Sequence, residues 1–166
     1  MDRLSEIETS ILDDDDGSCR DVNFLQPTWD GVEEFIKRSE KLFREYSSAD
    51  GEGNSLLEPY WKSVKASVQK TGYVHLSYAN SFEIINNVQI FVCSEDDGSP
   101  FIELTFFPED VAVVSNLETV FIGWVGAAKF TLQASEYFCR YENASWTIGD
   151  ISPGSGVFLA SENIST

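Results

Sequence analysis

Residues 87–107, NVQIFVCSEDDGSPFIELTFF, constrain the fold more than any other part of the sequence. Apolar residues alternate with polar or smaller ones on both sides of an acidic turn. They are Val88, Ile90 and Val92 on the first side and Ile102, Leu104 and Phe106 on the second. A period of two is typical of half-buried strands, and Asp97-Gly98 supplies the backbone freedom that a tight reversal needs. The stretch predicts the central hairpin of an antiparallel sheet.

Size and composition indicate one folded domain. A chain of 166 residues with 42% hydrophobic residues can bury an ordinary core. No apolar run reaches the roughly 18 residues of a membrane span, and the first residues lack the basic and apolar regions of a secretory signal. We expect a cytoplasmic protein with one domain at residues 21–166, preceded by a loose acidic arm at residues 1–20.

Three widely separated cysteines argue against a disulfide framework and against a structural zinc site. They form no CxxC pair, and Cys93 and Cys139 stand in apolar runs, where a thiol is usually a small buried hydrophobe. The aspartate run before Gly17 fails the EF-hand spacing, because Leu12 and Asn23 would take the first and last ligand positions. We expect neither a metal nor a cofactor.

The charge is strongly negative and unevenly distributed. The chain has 28 acids and 11 bases, a net charge of −17. Residues 27–70 are nearly neutral, whereas residues 71–166 carry only Lys129 and Arg140 as bases. Such a surface repels nucleic acids and membranes of the same sign and attracts a protein with a basic surface.

Two helices are predicted in the N-terminal half. Asp30 begins a capping-box pattern, and apolar residues then fall on one helical face as far as Tyr46. A second helix is predicted from Pro59 to Lys70, where Pro suits the first turn and Gly72 is placed to end it.

One later helix and several strands complete the predicted fold. Residues 115–118 have a capping-box pattern and residues 117–128 have helical spacing, although their β-branched and aromatic types would suit a strand. Residues 47–55 indicate a polar loop. Further strands are predicted at 21–26, 73–78, 82–85, 137–142, 145–148 and 157–160. The predicted class is α+β, a mainly antiparallel β-sheet with two N-terminal helices and one later helix packed on it.

The sequence contains no recognisable catalytic motif. The one histidine, His75, lies in a predicted strand without a second histidine or a nucleophile motif, so a structural role is expected. Nucleotide-binding, serine-hydrolase and zinc-protease patterns are missing. Carboxylates are numerous enough for acid–base chemistry, and a carboxylate-dependent enzyme is the third interpretation.

Acidic residues at turns and on the hairpin are the candidates for partner binding. A hairpin turn is held by its sheet, so it loses less entropy on binding than an arm does. Aromatic side chains nearby would provide anchoring contacts. The candidates are Glu95, Asp96, Asp97, Glu103, Glu109, Asp110, Asp13, Asp14, Asp15 and Asp16.

Residues 22–36, VNFLQPTWDGVEEFI, resemble the N-terminal region of bacterial polymorphic-toxin immunity proteins. The resemblance implies a non-catalytic cytoplasmic antidote that binds a cognate toxin, for instance a basic nuclease, and occludes its active site. Because immunity proteins bind through surfaces that vary within the family, the resemblance assigns no interface residue.

A phage-type acidic protein is the alternative. It would mimic the charge of DNA and block a host nuclease or defence complex. A toxin gene directly upstream would favour an immunity protein, whereas neighbouring phage structural genes would favour mimicry. The sequence leaves the oligomeric state open.

Overall fold

The fold is a seven-stranded antiparallel sheet, seen in a computed structural model that describes residues 5–142 and 145–161. The helices are α1 (Glu6–Leu12), α2 (Trp29–Leu42), α3 (Tyr60–Thr71) and α4 (Leu117–Leu132), with a 3₁₀ helix at Pro108–Asp110. The strands are β1 (Arg20–Leu25), β2 (Phe43–Asp50), β3 (Tyr73–Ser81), β4 (Val88–Ser94), β5 (Pro100–Phe106), β6 (Glu136–Tyr141) and β7 (Val157–Ala160). Their order is β2-β3-β4-β5-β1-β6-β7. The predicted α+β class is confirmed.

The hairpin at residues 87–107 forms as predicted. β4 and β5 pair antiparallel with Ile90 opposite Leu104, and β5 is the middle strand of the sheet. The backbone N–H of Glu95 donates to the Ser99 carbonyl at 2.8 Å, and Gly98 closes the turn with a positive φ of 82°. That left-handed conformation is one that glycine adopts without steric cost.

The core lies between the helices and one face of the sheet. The alternate residues of the central strands that face the helices, such as Val22, Ile90 and Leu104, are completely or almost completely buried. They share one apolar cluster with residues of α2, α3 and α4, which include Ile36 and Phe121. Because side chains alternate along a strand, the intervening residues point to the other face of the sheet.

The start of α2 lies close to the end of α4 at Gly31. A Cβ atom at this position would lie 2.3 Å from the carbonyl oxygen of Leu132. The backbone N–H of Thr28 donates to the same carbonyl at 3.1 Å. This close approach of the two helices therefore needs a residue without a side chain at position 31.

The first predicted helix begins earlier and ends earlier than expected. Thr28, not Asp30, is the N-cap, and its hydroxyl accepts the Gly31 N–H at 3.0 Å. The helix ends at Leu42, and the next eight residues form β2 against β3, so Tyr46 is in a strand. Much of the predicted loop at 47–55 is likewise strand.

Other predicted elements differ locally. Residues 82–85 form no strand; Ile85 makes a single bridge to Val111. Residues 145–148 lie in turns, where the Trp146 indole donates to the Asp150 carbonyl at 2.9 Å. The helix after residue 116 is confirmed, but its N-cap Asn116 makes no side-chain cap.

The cysteines are free thiols, of which Cys19 and Cys139 are buried and Cys93 is half-buried. Over residues 5–142 and 145–161, no helix is both long and apolar enough to cross a lipid bilayer.

Candidate functional site

The face of the sheet opposite the helices carries the polar and aromatic residues of the strands, and we call it the open face. The pairing registers show that every second residue of the paired strands lies on this face. Its positions include Ser47, Ala49, Tyr73, His75, Ser77, Gln89, Phe91, Cys93, Phe101, Glu103, Thr105, Asp21, Asn23, Phe138 and Arg140. Helices do not cover it, and the indole of Trp146 packs over Phe138 and Arg140 at one side of it.

The bases are concentrated on the opposite side of the molecule. Lysines and arginines of α2, α3 and α4 belong to the helical layer, namely Lys37, Arg38, Lys41, Lys62, Lys65, Lys70 and Lys129. Among the described residues, Arg140 is the one Lys or Arg at an open-face position. The helices also carry seven acids against these seven bases, and the open-face positions named above carry Asp21 and Glu103 against Arg140, so the two sides differ little in net charge.

Arg140 is the centre of a buried polar network on the open face. Its Nη2 lies 3.0 Å from Oε2 of Glu103 and 3.2 Å from Oδ2 of Asp21. Its Nε donates to Oδ1 of Asn23 at 2.9 Å, and the Asn23 amide donates to Glu103 at 2.9 Å. The hydroxyl of Thr105 donates to Asp21 at 2.7 Å. Asp21, Asn23 and Arg140 are at most 6% exposed.

The network holds more negative than positive charge. Two carboxylates face one guanidinium. Burial raises the pKa of the Glu103 carboxyl above its ordinary value of 4.5, and repulsion from Asp21 acts in the same direction against the hydrogen bonds from Asn23 and Arg140. A partly compensated carboxylate in a low-dielectric site attracts a further cation more strongly than one in water does.

A cavity of about 450 Å³ opens onto this network. Phe101, Trp146 and Ile148 form its apolar walls, and Glu142 adds a carboxylate to its lining. The indole ring of Trp146 lies over the Arg140 guanidinium, with 4.7 Å between the guanidinium carbon and the ring centroid. The shape, the acids and the aromatic walls suit the side chain of a lysine or arginine from another molecule.

Aromatic residues extend the open face from this cavity to β3. The rings of Tyr73 and Phe91 are 5.4 Å apart. His75 lies beside them, with its Nε2 3.0 Å from Oε1 of Gln89. Half-exposed aromatic rings of this kind serve as anchors in protein interfaces.

The ten predicted binding residues do not form one cluster. Glu95, Asp96 and Asp97 are exposed at the hairpin turn, Glu103 lies in the middle of the open face, and Glu109 and Asp110 are in the 3₁₀ helix at the other end of the hairpin. Asp13, Asp14, Asp15 and Asp16 follow α1 and precede β1, at that same far end. A strand of this length separates the two ends by roughly 20 Å.

The hairpin turn is fixed to the helical layer. The indole N–H of Trp29, at the start of α2, donates to the Gly98 carbonyl at 2.9 Å. Asp97 accepts the Ser99 N–H at 2.9 Å, and these bonds to Ser99 lower the pKa of the Asp97 carboxyl. The turn therefore presents Glu95 and Asp96 from a supported backbone.

Sequence reasoning missed Asp21, Asn23, Arg140 and Trp146. A signal existed, because Asp21 and Asn23 alternate with Val22 and Phe24. Arg140 is also one of two Lys or Arg residues in residues 71–166. A single base on a strand of an acidic domain is expected to pair with a carboxylate.

The described part of the chain offers little for catalysis. It contains no group of three or more His, Cys, Asp or Glu residues that could hold a metal. Asp21 and Glu103 share one guanidinium, and the cysteine nearest to them, Cys19, has a pKa raised to about 12 by burial and by nearby carboxylates. Raised thiol pKa values oppose nucleophilic chemistry.

Comparisons with known proteins give a match at the level of the fold. No family model matches the sequence, and no curated protein does. A solved structure with a similar fold is the toxic C-terminal tip of CdiA from Pseudomonas aeruginosa in complex with an immune protein. The match to a chain of that complex has a TM-score of 0.55 and 12% identity and covers 86% of this chain and 94% of that chain. In agreement with the resemblance of residues 22–36 to immunity proteins of polymorphic toxins, this protein has a fold that occurs in a toxin–immune complex.

Proposed function

We propose that this protein is an immunity protein that binds a cognate toxin and is not itself an enzyme. The observation that carries the proposal is the shared fold with a chain of the CdiA–immune complex over most of both chains. The net charge of −17 favours the immune protein, and not the toxin, as the member of such a pair that this chain represents. A strongly acidic protein is suited to bind a basic surface.

The proposed docking surface is the open face together with the hairpin turn. Phe91, Tyr73 and Phe101 would supply apolar contacts, and Glu95 and Asp96 would meet bases on the toxin. Interfaces concentrate their binding energy in a few central aromatic or charged residues surrounded by a polar rim. In this proposal the aromatic rings would be the central contacts, and the acids of the turn would belong to the rim.

We further propose that the protein works by occlusion of the toxin's active site, and that the toxin is a basic protein such as a nuclease. A nuclease needs a basic surface to hold phosphates. A protein with a net charge of −17 competes for such a surface without any chemistry of its own. The network around Arg140 supports a binding role, since two carboxylates share one guanidinium and leave one negative charge for a base of the partner.

Co-expression tests the proposal. The gene directly upstream is placed under an inducible promoter in a bacterial host, with or without the gene for this chain. Growth arrest by the upstream gene alone, and growth restored by this chain, are expected. Arrest caused by this chain alone would assign it to the toxin side of the pair, and a lack of rescue would contradict immunity.

The charge of the hairpin turn can be tested with a matched pair of variants. Asp96→Lys/Asp97→Lys and Asp14→Lys/Asp15→Lys change the net charge equally. We expect the first pair to weaken binding to the purified toxin more, because the turn is supported by the sheet and by Trp29. Calorimetric titration checks this. Equal affinities for both variants and the wild type would contradict a role for the turn.

A further inference from the structure

A second concave surface lies on the helical side of the molecule. It runs along the C-terminal half of α4 and faces the middle of α2 and the start of β6, and its volume is about 780 Å³. Small-molecule sites commonly have volumes of roughly 300–1,000 Å³. We call it the α4 groove and define it by Ile122, Gly126, Lys129, Phe130 and Tyr137.

One side of α4 gives the groove an apolar wall. Ile122, Gly126 and Phe130 are spaced at i, i+4 and i+8, so they lie on one side of the helix. Phe130 is 82% exposed. A Cβ atom at Gly126 would meet no atom within 4 Å, so the glycine leaves a notch between the two larger side chains. An apolar ligand in this notch would cover surface that water now contacts.

The polar groups of the groove favour an anion. Lys129 has no ion-pair partner in the described part of the chain, whereas Arg38 is paired with Glu34 at 2.9 Å. The charges of these three residues sum to +1, in a protein whose net charge is −17. The local sign is therefore opposite to that of the molecule.

A buried hydrogen-bond donor without a partner in the described part of the chain lies in β6, which borders the groove. Tyr137 is 3% exposed, and its hydroxyl has no hydrogen-bond partner among the residues that the structure describes. Buried tyrosine hydroxyls almost always have one, and an unpaired one costs free energy. A ligand that carries an acceptor would remove this cost.

We propose that the α4 groove binds a small carboxylate with an apolar body. The body would occupy the notch at Gly126 beside Ile122 and Phe130, and the carboxylate would meet Lys129 and the Tyr137 hydroxyl. One free cation and one neutral donor match a single negative charge better than a phosphate, which usually recruits several donors. The site lies on the opposite side of the sheet from the open face. The proposal is therefore independent of the proposed toxin binding.

Octanoate and 1-octanol, which have the same chain length, test the proposal by NMR titration. We expect octanoate to give saturable shifts of the Ile122 and Gly126 amides, with a dissociation constant on the order of 1 mM, and to bind about tenfold more tightly than octanol. The comparison is stringent because the charge of −17 repels anions elsewhere on the surface. Equal binding of octanol, or no saturable shift, would overturn the proposal.

Two glycine variants locate the site. Gly126→Leu fills the notch and should abolish binding of both probes, whereas Gly123→Leu should leave binding unchanged. Gly123 is on the same helix, and a Cβ atom there also meets nothing within 4 Å, so both proteins should fold. Thermal unfolding verifies this. Unimpaired binding to Gly126→Leu would place the ligand elsewhere.

A charge variant separates the two parts of the ligand. Lys129→Gln should weaken octanoate binding about tenfold and leave octanol binding unchanged. A variant that binds octanoate as tightly as the wild type does would exclude Lys129 as the carboxylate's partner and overturn the proposal.

Discussion

At the scale of single residues, Arg140 determines whether the open face can hold its carboxylates. Asp21 and Glu103 are both within 3.2 Å of the same guanidinium nitrogen. Taking carboxylates out of water is costly unless they are paired and hydrogen-bonded. The stability of the fold and the charge of the open face therefore both depend on the Arg140 side chain.

Replacing Arg140 with Ala should lower the free energy of unfolding by about 3–5 kcal/mol, because it leaves the buried Asp21 and the partly buried Glu103 without their cation. Urea denaturation measures the loss. Lys41→Ala, an exposed change on α2, is the control and should cost at most about 0.5 kcal/mol. Adding Glu103→Gln to Arg140→Ala should recover part of the loss. A cost no larger than that of the control would contradict this account of the network.

The raised pKa of Glu103 predicts a pH dependence with a definite sign. Between the unfolded value near 4.5 and the higher folded value, the folded protein binds more protons than the unfolded one. The stability that the protonated carboxyl contributes is therefore lost as the pH rises through its folded pKa. Unfolding of wild type and Glu103→Gln from about pH 4 to about pH 7 should show a wild-type advantage that declines as the pH rises.

Asp97 is a matched comparison for this pH effect. Hydrogen bonds from Ser99 lower its pKa, so its contribution is present above the unfolded value and is lost as the pH falls. The difference between wild type and Asp97→Asn should therefore change with pH in the opposite direction. If the stability differences for the Glu103 and Asp97 variants changed with pH in the same direction, the environments of the two carboxyl groups would have been assigned wrongly.

Residue patterns predicted the position of Glu103 but not its partners. The alternation in β5 identified its strand and, correctly, its place on the face opposite Leu104. Asn23 and Arg140 lie 80 and 37 residues away in sequence, and a period of two does not specify which strands become neighbours. Strand order and register were needed to bring these residues together.

At the scale of the elements, close packing of α2 on α4 depends on Gly31. Gly31→Ala should cost about 1–3 kcal/mol or more, because a Cβ atom 2.3 Å from the Leu132 carbonyl oxygen forces the helices apart. Gly123→Ala is the control on α4. It meets no neighbour and should stabilise the helix by up to about 1 kcal/mol. Thermal denaturation of both variants checks the prediction, and equal effects would contradict it.

The end of the first predicted helix was placed wrongly for a physical reason. Residues 43–46 continue the helical period of α2, yet they form an edge strand, because pairing with β3 satisfies their backbone groups. Tyr46 also packs against Tyr60 and Tyr78, with ring centroids 5.4 and 5.9 Å apart. Such long-range contacts override local periodicity. The hairpin was predictable because its pairing is local.

At the scale of the whole molecule, the sheet separates the side that holds most of the bases from the side that holds the Arg140 network. The helical layer carries most of the described lysines and arginines, and the open face carries the Arg140 network with its surplus carboxylate. This asymmetry concerns the bases, and the field that attracts a basic partner comes from the net charge of −17. The sequence predicted the charge and the fold class, but it did not predict this asymmetry, because it arises from which side of the sheet the helices cover.

Steering by this field predicts that association with the toxin is fast and sensitive to salt. Between about 0.05 and 0.5 M salt, the association rate constant should fall steeply while the dissociation rate constant changes little, because the Debye length shortens. Stopped-flow fluorescence of the open-face tryptophan Trp146 offers a signal. Asp96→Lys/Asp97→Lys should lower the low-salt rate and flatten the salt dependence. A rate constant independent of salt would show instead that apolar contacts between the open face and the toxin dominate recognition.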